Sequence, residues 1–305
     1  MIVILGAGGF IGQALTRRLA GRGLPVRAVM RAPNAAFDGV DIRIAGTLGA
    51  ETDWAPLLAD ACLVIHLASR AHQPAGEAAW IEAETATAAA LARAAREAGV
   101  ERMVFLSSIK AMGEVSGDAP FRAEMTPHPV DAYGRVKLRI ETALCAGPDL
   151  VVLRPPLVYG PGVKGNFHAF LRLAARQIPL PLASIRNRRS LIFLDNLLDL
   201  IECSLTHAQA PGGVFLMRDN EELSTPALFQ RLAQKLGRSA RLFPFPPGLL
   251  EGGLRFLGRP STANALLRSL SVDDGPTRTR LGWQPRVSLD AGLAATCRWF
   301  QDEAR

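Results

Sequence analysis

The chain has 305 residues, 49% of them hydrophobic and 21% charged, and a formal net charge of +7. That balance excludes a disordered chain and fits a globular enzyme of one large domain or two modest ones. No apolar run reaches the roughly 20 residues that cross a bilayer, and a strand begins directly after Met1, so the expectation is a cytoplasmic protein without a leader or a membrane partner.

The four cysteines, Cys62, Cys145, Cys203 and Cys297, lie far apart and form no C-x-x-C pair, as reduced thiols do. His66, His72, His128, His168 and His207 have no metal-ligand spacing, so no metal site is expected. Basic residues are spread along the chain, and Trp and Tyr are scarce. Both features argue against a nucleic-acid partner. A cleft that handles several phosphates accounts better for the positive excess.

In chain order, the apolar run Ile2 to Leu5 reads as a buried strand, followed by glycines at 6, 9 and 12 and then a helical pattern. Strand, glycine turn and helix together bring a backbone against a dinucleotide pyrophosphate. The first helix, from about Phe10 to Ala20, places Ile11, Leu15 and Leu19 on one stripe. Val26 to Met30 is a second strand, and Arg31 stands at its end, where an acid for the adenosine ribose is usual. A cation there suits a ribose 2′-phosphate and tilts the cofactor toward NADP; an exposed loop arginine is the competing reading.

Strands follow at 41–45 and 63–67, then a long Ala-rich helix over 77–98 closed by Gly99. The strand over 103–106 runs into Ser107 and Ser108. Asp131 reads as the N-cap of a helix through Leu144, and 150–153 is a further strand. Strands alternating with helices imply an α/β fold built on a doubly wound parallel sheet. After Arg154 the rhythm becomes irregular, with short strands at 191–194 and 214–217, a helix over about 196–206 between them, and another over 225–236 capped by Ser224 or Thr225. A smaller C-terminal lobe is the expected result.

Y-G-R-V-K places Tyr133 and Lys137 at i and i+4, on one helix face. A phenol with a pKa near 10 relays protons poorly at neutral pH, and an adjacent ammonium favours its phenolate. Ser108, at the end of a central strand, is placed to hold a substrate oxygen. Each feature alone is common; their order along a βα pattern gives them weight.

The spacing G-x-x-G-x-x-G and the segments FLSSIKAMGE, DAYGRVK, LRPPLVYGPGVKGNF and NRRSLIFLDNLLDLI resemble the extended short-chain dehydrogenase/reductases of the NAD-dependent epimerase/dehydratase family. Within it they are most similar to nucleotide-sugar 4-epimerases and UDP-N-acetylquinovosamine 4-reductases. The resemblance runs nearly to Trp283. It implies a Rossmann domain over 1–160, rejoined by 191–217, and a nucleotide-sugar-binding α/β lobe over 161–305. Implied roles are catalysis for Ser108, Tyr133 and Lys137, and the pyrophosphate turn for Gly6, Gly9, Phe10, Ile11 and Gly12. Ala68 would lie at the adenosine side and Pro155 beside the nicotinamide, with Lys137 on its ribose.

The same resemblance assigns Asn166, Phe167 and Arg189 to the nucleoside diphosphate, with Arg268 as a weaker second phosphate ligand and Lys164 as a neighbour of the sugar. It also implies a homodimer formed by the Ala-rich helix and the helix of Tyr133. Three positions depart from the family pattern: Glu84 for an Asn, Thr47 for an acid and Met112 for a tyrosine. The activity implied is NADP- or NAD-dependent chemistry at C4 of a UDP-sugar, foremost reduction of a 4-keto-6-deoxy-hexosamine for surface polysaccharide. The alternative is a UDP-hexose 4-epimerase that retains NAD. Ile109 and Lys110 after Ser108 argue against dehydration, which usually places an Asp-Glu pair there.

Overall fold

The computed structural model describes residues 1–68 and 76–303; His72 lies outside them. The first half alternates strand and helix: β1 (Ile2–Leu5), α1 (Phe10–Gly21), β2 (Val26–Met30), β3 (Asp41–Ile44), α2 (Ala55–Leu58), β4 (Leu63–His66), α3 (Glu77–Glu97), β5 (Arg102–Leu106), α4 (Ala132–Leu144) and β6 (Asp149–Arg154). The second half is more irregular: β7 (Leu157–Tyr159), α5 (Gly165–Arg176), β8 (Leu191–Phe193), α6 (Leu194–Thr206), β9 (Val214–Leu216), α7 (Thr225–Lys235), α8 (Pro247–Phe256), α9 (Pro260–Leu267), α10 (Gly275–Leu281) and α11 (Leu289–Glu303).

Seven strands form one sheet in the order β3-β2-β1-β4-β5-β6-β9, and every pair in it is parallel. Chain direction across the sheet reverses between β1 and β4, where crossovers to opposite faces leave a crevice at the carboxyl ends. Leu5 pairs with Val29 on one side and with His66 on the other, which puts the glycine turn, Arg31 and His66 on one rim.

Alternation along the strands loads both faces. Ile2 and Ile4 of β1, with Val104 and Leu106 of β5, pack under α1 and α6. Val3, Leu5, Met103 and Phe105 pack under α3 and α4. A parallel sheet covered on both sides needs this two-faced apolar content. A third core joins β7, β8, α5, α7 and α11 into the smaller lobe.

Several second-half elements gave no readable periodicity. Strand β7 has three residues and, among the described residues, pairs in parallel only with β8, outside the main sheet. Helix α11 buries Gly292, Thr296 and Cys297 beside its leucines, so its inner stripe is small and partly polar. A side chain at Gly292 would come within 2.8 Å of the Tyr159 hydroxyl, which is why the stripe narrows there. Helix α8 buries no residue at all.

Candidate active site

Three devices bring Ser108, Tyr133 and Lys137 to one rim. The first is the turn after β5: Ser108 caps a short 3₁₀ turn (Ile109–Ala111), its Oγ accepting the Lys110 N–H at 3.2 Å, while Ile109 N–H donates to the Pro155 carbonyl at 2.9 Å. Ser108 Oγ acts as acceptor in that contact, so its hydroxyl keeps a hydrogen to donate. The second is the N-cap of α4, where Asp131 accepts the Gly134 N–H at 2.7 Å. The third is Gly134 itself, where any Cβ would overlap the Lys110 carbonyl. Only glycine lets the start of α4, with Tyr133, settle against the Ser108 turn.

Lys137 is 1% exposed. Its Nζ donates to the Leu106 carbonyl at 2.9 Å and lies 4.7 Å from the centre of the Phe105 ring and 5.7 Å from that of Tyr133. Burial pushes its pKa down to about 8, against the upward pull of Glu84 on α3 and Glu141 on α4. At neutral pH it remains mostly a cation, held under the phenol ring. His66, buried and stacked on Phe105 at 5.2 Å, is pushed down to about 3 by burial and by Lys137, so it is neutral.

Glu141 follows Lys137 by one helical turn. It accepts from the Ser107 hydroxyl and, through two oxygens at 3.0 and 2.5 Å, from the Arg154 guanidinium, which also reaches the Met112 sulfur at 2.7 Å. All of these groups are buried. The network ties α4 to the ends of β5 and β6, directly behind Ser108. Its sequence signal was the spacing Tyr133, Lys137, Glu141 on one face. Met112 faces this inner arginine.

A cleft of about 290 Å³ opens at the glycine turn; Ser108, Tyr133 and Lys137 do not line it, and its inner end is formed by His66 and Ile140. Gly6, Gly9, Arg31 and Ala68 line it, together with Thr47, His66 and Glu84. Its glycine turn fits the pyrophosphate of a dinucleotide. Gly6 has φ +89°, and a Cβ there would stand 2.6 Å from the Ala68 nitrogen; one at Gly12 would overlap the Gly6 carbonyl. No side chain caps α1 at Gly9, so the first amides of that helix are open to a pyrophosphate. The buried Nδ1 of His66 has no hydrogen-bond partner among the described residues. Arg31 is exposed at the rim and makes no ion pair among the described residues.

Other predicted residues lie elsewhere. Ile11 is half-buried and packs against the sheet core. The Phe10 side chain meets Gly162 and lines a second cavity of about 410 Å³ with Lys164. Pro155 is buried under the Ser108 turn. In the smaller lobe, Asn166 is exposed in the first turn of α5. The Phe167 ring is fully buried, stacked on Tyr159 at 5.2 Å, so only its backbone is available to a ligand. Arg189 is half-buried and donates to the Arg268 carbonyl at 3.3 Å; burial lowers its pKa to about 10, leaving it cationic at pH 7. The Arg268 guanidinium is engaged by Glu251 at 2.7 Å and does not stand free as a second phosphate ligand.

The model of the NAD dependent epimerase/dehydratase family matches residues 2–217. The chain belongs to this family. It is 34% identical to a UDP-glucose 4-epimerase of Vibrio cholerae, over 98% of this chain and 95% of that one. In fold it is similar to a UDP-glucose 4-epimerase of Thermotoga maritima solved with UDP-glucose (TM-score 0.78, 21% identity, covering 100% and 99% of the two chains). It is also similar to the Bordetella bronchiseptica enzyme WbmG solved with NAD and UDP (TM-score 0.78, 20% identity, 99% and 94%). Family membership makes the chain an enzyme that uses a nicotinamide dinucleotide.

The buried charge of Lys137 carries a signed pH prediction. Its folded pKa is depressed, so between about pH 8 and the unfolded value near 10.5 the unfolded chain holds the extra proton, and stability rises with pH across that window. Lys137→Met is expected to be at least as stable as the wild type at pH 7. Its stability advantage should shrink from pH 8 to 10, as read by urea unfolding at each pH.

Proposed function

We propose that this enzyme moves a hydride at C4 of a UDP-linked hexose or hexosamine, foremost as an NADPH-dependent reductase of a 4-keto sugar. The observation that carries the chemistry is Lys137, a buried cation beneath the Tyr133 ring. A nicotinamide bound next to these three side chains would supply or accept the hydride. The Ser108 hydroxyl donates to the C4 oxygen and holds the carbon in place. Tyr133 gives its proton to that oxygen as charge develops there. Lys137 stabilises the phenolate left behind, in a site where low polarity magnifies the attraction. Reversal of the same transfers oxidises C4.

Arg189 is our choice for the diphosphate of the substrate, because it is a half-buried guanidinium whose hydrogen-bond partner is a neutral carbonyl. Its planar fork suits two phosphate oxygens. Asn166 and the backbone of Phe167, at the start of α5, would face the nucleoside. Gly6, Gly9 and Gly12 would cradle the pyrophosphate of the dinucleotide. Arg31 supports NADP, since it offers a cation at the rim where a ribose acid is absent.

A second reading is a 4-epimerase that keeps NAD bound and returns the hydride to the opposite face. The identity with the Vibrio cholerae UDP-glucose 4-epimerase favours it. Cofactor release decides between the two. Purified protein denatured after extensive dialysis is expected to yield no dinucleotide and to rebind NADPH in preference to NADH; stoichiometric NAD would support the epimerase. In either case Tyr133→Phe is expected to lower turnover by about two to four orders of magnitude, with UDP affinity unchanged. Near-normal turnover of that variant would remove the mechanism.

A further inference from the structure

Helix α8 and the turn after it carry a surface that the catalytic reading leaves unused. Leu249 and Phe256, seven residues apart and hence on one helix face, are 67% and 92% exposed, and Leu257 is 69% exposed. Phe243, just before the helix, is exposed as well. Side chains of this size seldom stand together in water without a partner.

The inner side of the helix is already occupied. Glu251 on α8 binds Arg268 at 2.7 Å and Arg255 at 3.0 Å, and Leu250 packs on the core of the smaller lobe. Helix α9, the other arm of the hairpin, is fixed to the body by Asn264, whose amide donates to Glu114 at 3.0 Å. The apolar face is therefore the outward side of an anchored hairpin.

Charge identifies what would cover it. Between residues 236 and 267 the basic residues are Arg238, Arg241, Arg255 and Arg259, all exposed, and the sole acid, Glu251, pairs with Arg255 and Arg268, which leaves Arg238, Arg241 and Arg259 without an ion pair among the described residues. We propose that α8 docks on an anionic phospholipid bilayer, with Leu249, Phe256 and Leu257 entering the interface and the flanking arginines meeting lipid phosphates. A short helix with aromatic and leucine side chains on one side and cations beside them is how a protein lies on a membrane without crossing it. A second copy fits less well. The hairpin offers Arg238, Arg241 and Arg259, which make no ion pair among the described residues, and no unpaired carboxylate with which a second copy could complement them. At ten residues, α8 is far too short to span a bilayer.

The test uses the full chain and sedimentation with vesicles. Binding to phosphatidylcholine vesicles should be weak, should increase as phosphatidylglycerol is added, and should decline with salt. Phe256→Glu is expected to cut binding to the mixed vesicles by about tenfold or more, and Arg259→Gln to reduce both the binding and its salt dependence. Both positions are exposed, so circular dichroism and turnover should match the wild type. Three outcomes would overturn the proposal. One is no binding to phosphatidylglycerol vesicles at low salt. Another is equal binding by Phe256→Glu and the wild type. The last is a self-association in light scattering that Phe256→Glu abolishes, which would make a second copy the occupant.

Discussion

A single buried ammonium sets the terms for the catalytic half of this molecule. Lys137 gives up hydration for one carbonyl, one aromatic face and two carboxylates at longer range. Burying a cation is costly unless its surroundings compensate, and the compensation explains much of what surrounds it. Glu141 cannot serve Lys137 as a bare buried carboxylate, so Arg154 and Ser107 bind it. Arg154 in turn extends from the end of β6, which fixes the register of α4 against the sheet. The neutral state of His66 avoids a second positive charge in the same space. Stability is spent here to hold a charge under a phenol, the usual trade at an active site.

The smaller lobe is wired to this centre by polar contacts. Asn264 on α9 donates to Glu114; Lys110 bridges Glu114 at 3.2 Å and Asp131 at 2.5 Å; Asp131 caps the helix of Tyr133. Hydrogen bonding to Lys110 and to the Gly134 amide keeps the Asp131 carboxyl below its ordinary pKa, despite the burial that opposes it. The lobe that we assign to the sugar nucleotide thus shares a hydrogen-bonded chain with the turn that holds Ser108. Position in one lobe constrains geometry in the other.

Much of this was legible in the sequence wherever a residue type was forced by backbone geometry or by period. Gly6 and Gly12 sit where a Cβ collides, so the turn could be read directly. The two-faced strands announced a covered parallel sheet, and the spacing of Tyr133 and Lys137 fixed their common face. Legibility failed where function depends on which way a side chain turns. Phe10 and Phe167 occupy motif positions, yet their rings face a different cavity and a core. Arg268 is an arginine in a plausible place, but Glu251 has taken it. Ser107, Glu141 and Arg154 come from three elements that only the fold brings together. Helix α11 was hidden because glycine, threonine and cysteine interrupt the leucines of its inner stripe.

The central claim, that the Lys137 charge is used to make Tyr133 acidic, has a direct spectroscopic test, because the chain contains only two tyrosines, Tyr133 and Tyr159. Tyr159 donates to Asp219 at 2.6 Å, and burial followed by that carboxylate pushes its pKa far above the ordinary phenol value, so it stays silent in a titration. Ultraviolet titration of the phenolate band therefore reads Tyr133 alone. The account predicts one phenolate appearing below the ordinary value of about 10 and moving upward in Lys137→Met. A phenolate that appears at or above about 10, unmoved by that substitution, would contradict it.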